Sequence, residues 1–169
     1  PISANEYELL LSRKKWNAGQ VDSTKRIVLL DKDNTKNVFD FLNINCQAVS
    51  SVKEMLDSKL KADLYVISGL TSCTDEEKEL IRTYQVKGGK LLFLNSKEAV
   101  KAIYPEYITG WISPTEGDIV LMERNDAPVF NDIDVLELRY FNNNKREIPR
   151  ACNATLKAHR HKNIIELAG

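Results

Sequence analysis

Three short apolar runs, each followed by a polar turn, constrain the fold of this chain more than any other feature. They cover residues 26–30, 64–67 and 90–94, and the first is followed by Asp31. Continuous apolar runs of this length are typical of strands that are buried on both faces of a sheet. A weaker strand is predicted between the first two runs, at residues 47–49.

The segments between these runs carry the periodicity of helices. One apolar face contains Val52, Met55, Leu56 and Leu60, and another contains Leu80, Ile81 and Tyr84. Two helices are predicted to begin with capping boxes, Ser51-x-x-Glu54 and Thr74-x-x-Glu77, in which side chains bond otherwise unpaired backbone donors. Gly88-Gly89 is expected to end one helix in a left-handed turn, and Pro105 ends the last helix.

This alternation predicts the fold class. Four strands alternate with helices, which favours right-handed crossovers and an α/β fold with helices on both faces of a parallel sheet. We expect residues 26–104 to form that sheet in the strand order 2-1-3-4. After Pro105 the pattern becomes β-rich, and extra strands are predicted at residues 119–122, 136–141, 151–156 and 164–165.

The charge balance argues against two classes of partner. Lys plus Arg and Asp plus Glu both total 24, so no net field attracts nucleic acid or anionic lipid. No apolar run approaches the roughly 20 residues that span a bilayer. The first residues lack a starting Met and the pattern of a signal peptide, so we expect a piece of a longer polypeptide. Cys46, Cys73 and Cys152 fit no metal spacing and are expected to be free structural thiols.

Chemistry is expected at the carboxyl ends of the strands, where open parallel sheets bind their ligands. The first end reads Asp31-Lys32-Asp33-Asn34-Thr35, and the second run ends Val66-Ile67-Ser68. The first segment resembles the D-x-D-x-T motif of haloacid-dehalogenase-type phosphatases, and the second resembles their apolar-run-then-Ser motif. This resemblance implies Asp31 as nucleophile, Asp33 as general acid and base, and magnesium that bridges the substrate phosphate.

The metal site is where the sequence departs from that family, which places an acidic pair after a later strand. Residues 93–96 read Phe-Leu-Asn-Ser and contain no carboxylate, so Asp31 and Asp33 alone would leave magnesium short of oxygen ligands. The favoured interpretation is that Asp33 or Asn34 caps a helix that begins near Thr35.

Two other positions after the predicted strands are candidate nucleophiles. A glutamine amidotransferase would carry a cysteine at the turn after residue 94, where Ser96 is instead expected to be a helix N-cap. Cys73 precedes a helix N-terminus, where a thiolate is stabilised, but no histidine lies near it in sequence. The first strand is also followed by no glycine-rich turn for a dinucleotide. No catalytic residue, metal or cofactor is therefore assigned.

Several segments outside the sheet resemble a known family. They are residues 5–12 followed by Lys15-Trp16, and later residues 115–120, 127–130 and 136–142. They are similar to the region around an accessory α/β domain of family 2 glycoside hydrolases, Bacteroides-type enzymes similar to β-galactosidases. The resemblance implies a three-layer α/β/α domain with a parallel, flavodoxin-like sheet, also described as class I glutamine-amidotransferase-like. It implies residues 1–20 as a linker or strand from a preceding domain and residues 21–169 as the accessory domain.

The same resemblance implies a function. The domain would serve packing or assembly in a periplasmic or secreted enzyme, with other domains of the polypeptide, and further copies in a homo-oligomer, as partners. The catalytic glutamates of that family belong to a separate barrel, and no segment here matches them. A small carbohydrate-binding module is a third reading, with Trp111 and Tyr140 as sugar-stacking candidates, although packing in a core explains both more simply.

Overall fold

The computed structural model describes residues 22–57, 59–112, 126–130 and 155–158, with the side chains of residues 111, 112 and 155–158 left undescribed. The first eight elements alternate strictly between strand and helix. They are β1 (Ile27–Asp31), α1 (Thr35–Phe41), β2 (Gln47–Val49), α2 (Val52–Met55), β3 (Leu64–Ser68), α3 (Asp75–Val86), β4 (Leu91–Leu94) and α4 (Lys97–Ile103). A single 3-10 turn is described at Pro128–Phe130.

β1 to β4 form one parallel sheet in the order β2-β1-β3-β4. Val28 lies opposite Gln47 on one side and Tyr65 on the other, and Tyr65 lies opposite Leu91. The predicted α/β class and the predicted strand order 2-1-3-4 are therefore confirmed. Because the strands are parallel, the residues that follow β1, β3 and β4 meet at one edge of the sheet.

Successive strand residues point to opposite faces, and this alternation produces two separate cores. The larger core joins one sheet face to α2, α3 and α4, and its buried members are Val28, Leu30, Val49, Val52, Met55, Tyr65, Ile67, Leu70, Ile81, Ala99 and Ile103. The smaller core contains Leu29, Val66 and, from α1, Phe39. The three fully buried β1 positions (Val28, Leu29, Leu30) explain why that strand reads as a continuous apolar run.

The structure confirms the predicted ends of α3 and corrects those of α2. Thr74 and Glu77 make the full predicted capping box at the start of α3, and Gly88 ends that helix with a left-handed φ of 85°. The prediction for α2 was wrong in two respects. The helix ends at Met55, so Leu60 reaches the core from the following turn. The predicted capping box at its start is also incomplete, because the carboxylate of Glu54 accepts its hydrogen bonds from Ser50 rather than from the backbone N–H of the N-cap residue.

The chain divides into two compact units, Lys15–Ile108 and a second made of Pro1–Lys14 with Thr109–Gly169. β5 (Ile108–Ile112) and β6 (Thr155–Ala158) form a two-stranded sheet, which lies in the second unit except for Ile108. β6 overlaps the strand expected at residues 151–156, whereas the sequence did not predict β5. The strands expected at 119–122, 136–141 and 164–165 lie outside the described residues. So does the expected linker at residues 1–20, which stays a prediction.

Candidate functional site

The turn after β1 is organised by the first acidic residue of the D-x-D-x-T segment. Oδ1 of Asp31 accepts hydrogen bonds from the backbone N–H groups of Asp33 at 3.2 Å and Thr35 at 3.0 Å. Oδ2 accepts from the N–H of Lys36 at 3.0 Å. The side chain of Asp31 therefore caps α1, although Asp33 or Asn34 was predicted to do so. Asn34 occupies the N-cap position, as one of the two predicted alternatives, but it is in a left-handed conformation and its side chain makes no capping bond.

The second acidic residue joins the turn after β1 to the end of β3 and to the turn after β4. Oδ1 of Asp33 accepts from the hydroxyl of Ser68, the last residue of β3, at 2.8 Å and from that of Thr35 at 2.9 Å. Oδ2 accepts from Nδ2 of Asn95, after β4, at 3.1 Å. We call these four residues the Asp33 cluster. The turn after β1 is thereby tied to the neighbouring strand and to the next strand beyond it.

The two hydroxyls of the Asp33 cluster also touch each other. Thr35 Oγ1 and Ser68 Oγ lie 2.6 Å apart. Together with Oδ1 of Asp33 they form three oxygen–oxygen contacts, but the two hydroxyls have only two protons to donate. Partial burial pushes the pKa of Asp33 upward, but hydrogen bonds from Asn95, Ser68 and Thr35 outweigh it, and the pKa lies below its ordinary value. These hydrogen bonds therefore stabilise the carboxylate form of Asp33.

The low pKa of Asp33 has a consequence for stability in acid. A carboxyl whose pKa is lower in the folded state stabilises the fold above its unfolded pKa of about 3.9, and this contribution disappears as pH falls through the folded value. We expect the free energy of unfolding to fall more steeply between about pH 5 and pH 2 in the wild type than in Asp33→Asn. Denaturant unfolding of both proteins across that range measures the difference. Equal slopes would contradict the prediction.

Each of the three turns at this edge contains one residue with positive φ. These are Asn34 at 66°, Gly69 at 69° and Asn95 at 47°. Gly69 lies against Asp33 so closely that a Cβ atom there would stand 2.6 Å from Cβ and 2.9 Å from the backbone nitrogen of Asp33. The turn after β3 therefore requires glycine for two reasons, backbone conformation and space.

The other candidate nucleophiles have structural partners. Ser96 occupies the predicted N-cap position of α4 but makes no side-chain cap bond. Its hydroxyl, in a side chain only 4% exposed, instead accepts from the N–H of Leu70 at 3.0 Å and lies 2.8 Å from the carbonyl oxygen of Leu94. Cys73 and Cys46 are free thiols, as expected. Burial and the nearby charge of Glu77 raise the pKa of Cys73, which disfavours the thiolate.

The remaining candidates lie beyond the described side chains. Trp111 belongs to β5, but its side chain is not described, and Tyr140 lies outside the described residues. Sugar contact by either stays a prediction. Within residues 22–57, 59–112, 126–130 and 155–158, no group of three or more His, Cys, Asp and Glu side chains could hold a metal ion. No helix in the same ranges is long and apolar enough to cross a membrane.

Comparison with known proteins gave no match. No protein-family model, curated protein or solved structure is similar to this chain at a significant level.

The sequence predicted both acidic residues of this edge as candidate site residues, but it did not predict their hydrogen-bond partners. The structure brings Asp31, Asp33, Thr35 and Ser68 together, as the paired strand ends suggested. It adds Asn95, which the sequence had marked only as the position that lacks a carboxylate. The left-handed conformation that directs the Asn95 amide toward Asp33 has no signal in the sequence beyond the short polar turn after an apolar run.

Proposed function

We propose that this chain is a non-catalytic accessory domain with a flavodoxin-like, three-layer α/β/α arrangement. Its role is packing and assembly within a larger protein. The single observation that supports this role most directly is the engagement of both acidic residues at the carboxyl edge. Every carboxylate oxygen of Asp31 and Asp33 accepts at least one hydrogen bond from within the chain.

The larger protein that we propose is a glycoside hydrolase similar to β-galactosidases, periplasmic or secreted. Support comes from the resemblance of residues 5–12 with Lys15-Trp16, and of residues 115–120, 127–130 and 136–142, to the surroundings of an accessory domain in such enzymes. Glycoside hydrolysis uses two carboxyl groups that face each other across the sugar. In this proposal those groups belong to another domain of the same polypeptide, and this domain needs no cofactor.

A magnesium-dependent phosphatase is the second candidate, because Asp31, Asp33, Thr35 and Ser68 do converge at one edge. Their hydrogen bonds favour the accessory role. A nucleophilic carboxylate directs one oxygen at phosphorus, whereas both oxygens of Asp31 accept hydrogen bonds from the backbone N–H groups at the start of α1, which hold the carboxylate toward the helix. Those same N–H groups are the ones that would otherwise bind a phosphate. Hydrogen bonds from Asn95, Ser68 and Thr35 lower the pKa of Asp33 and stabilise its carboxylate over the protonated form that a general acid needs.

Activity measurements test this proposal. We expect the purified chain to hydrolyse neither an aryl β-galactoside nor an aryl phosphate above the buffer background, with or without magnesium. A chromogenic assay of both substrates measures the rates, and Asp31→Asn serves as the matched variant. Phosphate turnover that is lost in Asp31→Asn would establish the phosphatase instead. Galactoside turnover abolished by substitution of one carboxylate in this chain would refute the accessory role.

A further inference from the structure

A tight turn follows α4 at residues 104–108, and we call it the exit turn because the α/β unit ends at Ile108. The backbone N–H groups of Tyr107 and Ile108 both donate to the carbonyl oxygen of Tyr104, each at 3.0 Å. Pro105 is exposed and has no N–H to contribute. These two backbone bonds of the turn therefore depend on a single acceptor.

One side chain of α3 contacts both the end of α4 and the exit turn. Nη1 of Arg82 donates to the carbonyl oxygen of Ile103, the last residue of α4, at 2.6 Å. The guanidinium also donates to both carboxylate oxygens of Glu106, from Nη1 to Oε2 at 3.1 Å and from Nη2 to Oε1 at 2.6 Å. Its central carbon lies 5.8 Å from the centroid of the Tyr104 ring. Arg82 thus joins α3 to the turn through hydrogen bonds, charge and a cation–π contact.

The geometry makes this ion pair stronger than an ordinary surface pair, but leaves it open to salt. Two parallel bonds from a planar guanidinium to one carboxylate are charge-assisted and fix the direction of both groups. A cation at the C-terminal end of α4 also complements the dipole of that helix. Both side chains of the Arg82–Glu106 pair are 40% exposed, so dissolved ions screen their attraction. The contact is therefore firm at low ionic strength and weaker at high ionic strength.

The exit turn can open without disturbing the parallel sheet. The pairings of β1 to β4 do not involve its residues. Tyr104 packs edge-on against Phe93 of β4, with ring centroids 6.3 Å apart, and both rings pack on the larger core. These contacts hold the start of the turn, whereas Pro105 and Glu106 in its middle are exposed. The middle of the turn can therefore move away from α3 while the core stays folded.

We propose that Arg82 is a salt-sensitive latch on the exit turn. With the Arg82–Glu106 pair formed, the turn is held against α3. When the pair is broken, the turn opens locally and the sheet remains folded, as segments outside a core commonly do. Ionic strength thereby controls how firmly the last residues of the α/β unit are fixed. The latch goes beyond the proposed accessory role and does not depend on it.

Amide hydrogen exchange of the complete chain, followed by NMR, tests the latch at the bonds that it controls. In Arg82→Gln we expect the amides of Tyr107 and Ile108 to exchange about tenfold faster than in the wild type at low salt, because a bidentate charge-assisted pair is lost. The amides of β3 should stay within about twofold. Raising NaCl from about 0.01 M to about 1 M shortens the Debye length from about 30 Å to about 3 Å. It should accelerate exchange at both turn amides in the wild type, but not in Arg82→Gln.

Lys78→Gln is the matched control, since Lys78 lies one turn earlier on α3 and its charge pairs with Asp75 rather than with the exit turn. It should leave exchange at both turn amides within about twofold of the wild type. Equal exchange in the wild type and Arg82→Gln would overturn the latch, and so would wild-type exchange that does not respond to salt. Acceleration in β3 as large as in the turn would also overturn it, because the effect would then be global unfolding.

Discussion

Gly69→Ala should destabilise the protein by about 3 kcal/mol or more, the largest effect that we expect from a single methyl group. The new Cβ would lie 2.6 Å from Cβ, 2.8 Å from Cγ and 2.9 Å from the backbone nitrogen of Asp33. One of these atoms is backbone, so a side-chain rotation cannot relieve the clash. The positive φ of 69° adds conformational strain. Denaturant unfolding monitored by circular dichroism measures the loss.

Gly88→Ala separates these two causes. Gly88 has a φ of 85°, but a Cβ there would meet nothing within 4 Å. Gly88→Ala should therefore cost only the conformational strain of an alanine at positive φ, about 1–2 kcal/mol. If both substitutions cost the same, close packing of the turn after β3 against Asp33 would be refuted, and backbone conformation alone would explain the glycine.

Asp33→Ala should cost about 2–3 kcal/mol, the second large effect. The substitution removes the acceptor shared by Ser68, Thr35 and Asn95. Ser68 is fully buried, with no exposed surface, and water cannot readily replace its partner. A buried donor that loses its acceptor costs more than an exposed one. Equilibrium unfolding in urea measures the change.

Asp33→Asn is the matched variant, and it should cost no more than about 1 kcal/mol. Its amide oxygen can accept from Asn95 while its NH₂ group donates to the hydroxyls of Thr35 and Ser68, which then supplies the proton that the three oxygen contacts lack. Equal losses in Asp33→Ala and Asp33→Asn would indicate that negative charge, rather than hydrogen bonding, is what the cluster needs from this position.

The parallel sheet could be predicted from the sequence because its strands are buried on both faces. Val28, Leu29 and Leu30 all have 0% exposure, so burial on each face appears directly as an unbroken apolar run. The strand order followed because short right-handed crossovers leave few alternatives. β5 was missed since Ile108–Ile112 contains a glycine and a threonine and has no comparable run.

The bonding within the candidate site could not be predicted in the same way. Asp31, Asp33 and Asn34 are all good N-cap residues by type, and the choice among them depends on the left-handed turn at Asn34. The bond between Asn95 and Asp33 joins positions 62 residues apart. Sequence reasoning placed both residues at one sheet edge, but side-chain direction within that edge depends on backbone angles in turns, which local composition specifies weakly.

The most direct test of the central claim is thermal unfolding with and without magnesium. If the oxygens of Asp31 and Asp33 serve only the turns that they bond, magnesium has no site at this edge. The melting temperature should then be the same in chelator and in about 10 mM magnesium, because a ligand stabilises a fold only through binding to the folded state. A magnesium-dependent rise in melting temperature that disappears in Asp31→Asn would contradict this account and would support the phosphatase function instead.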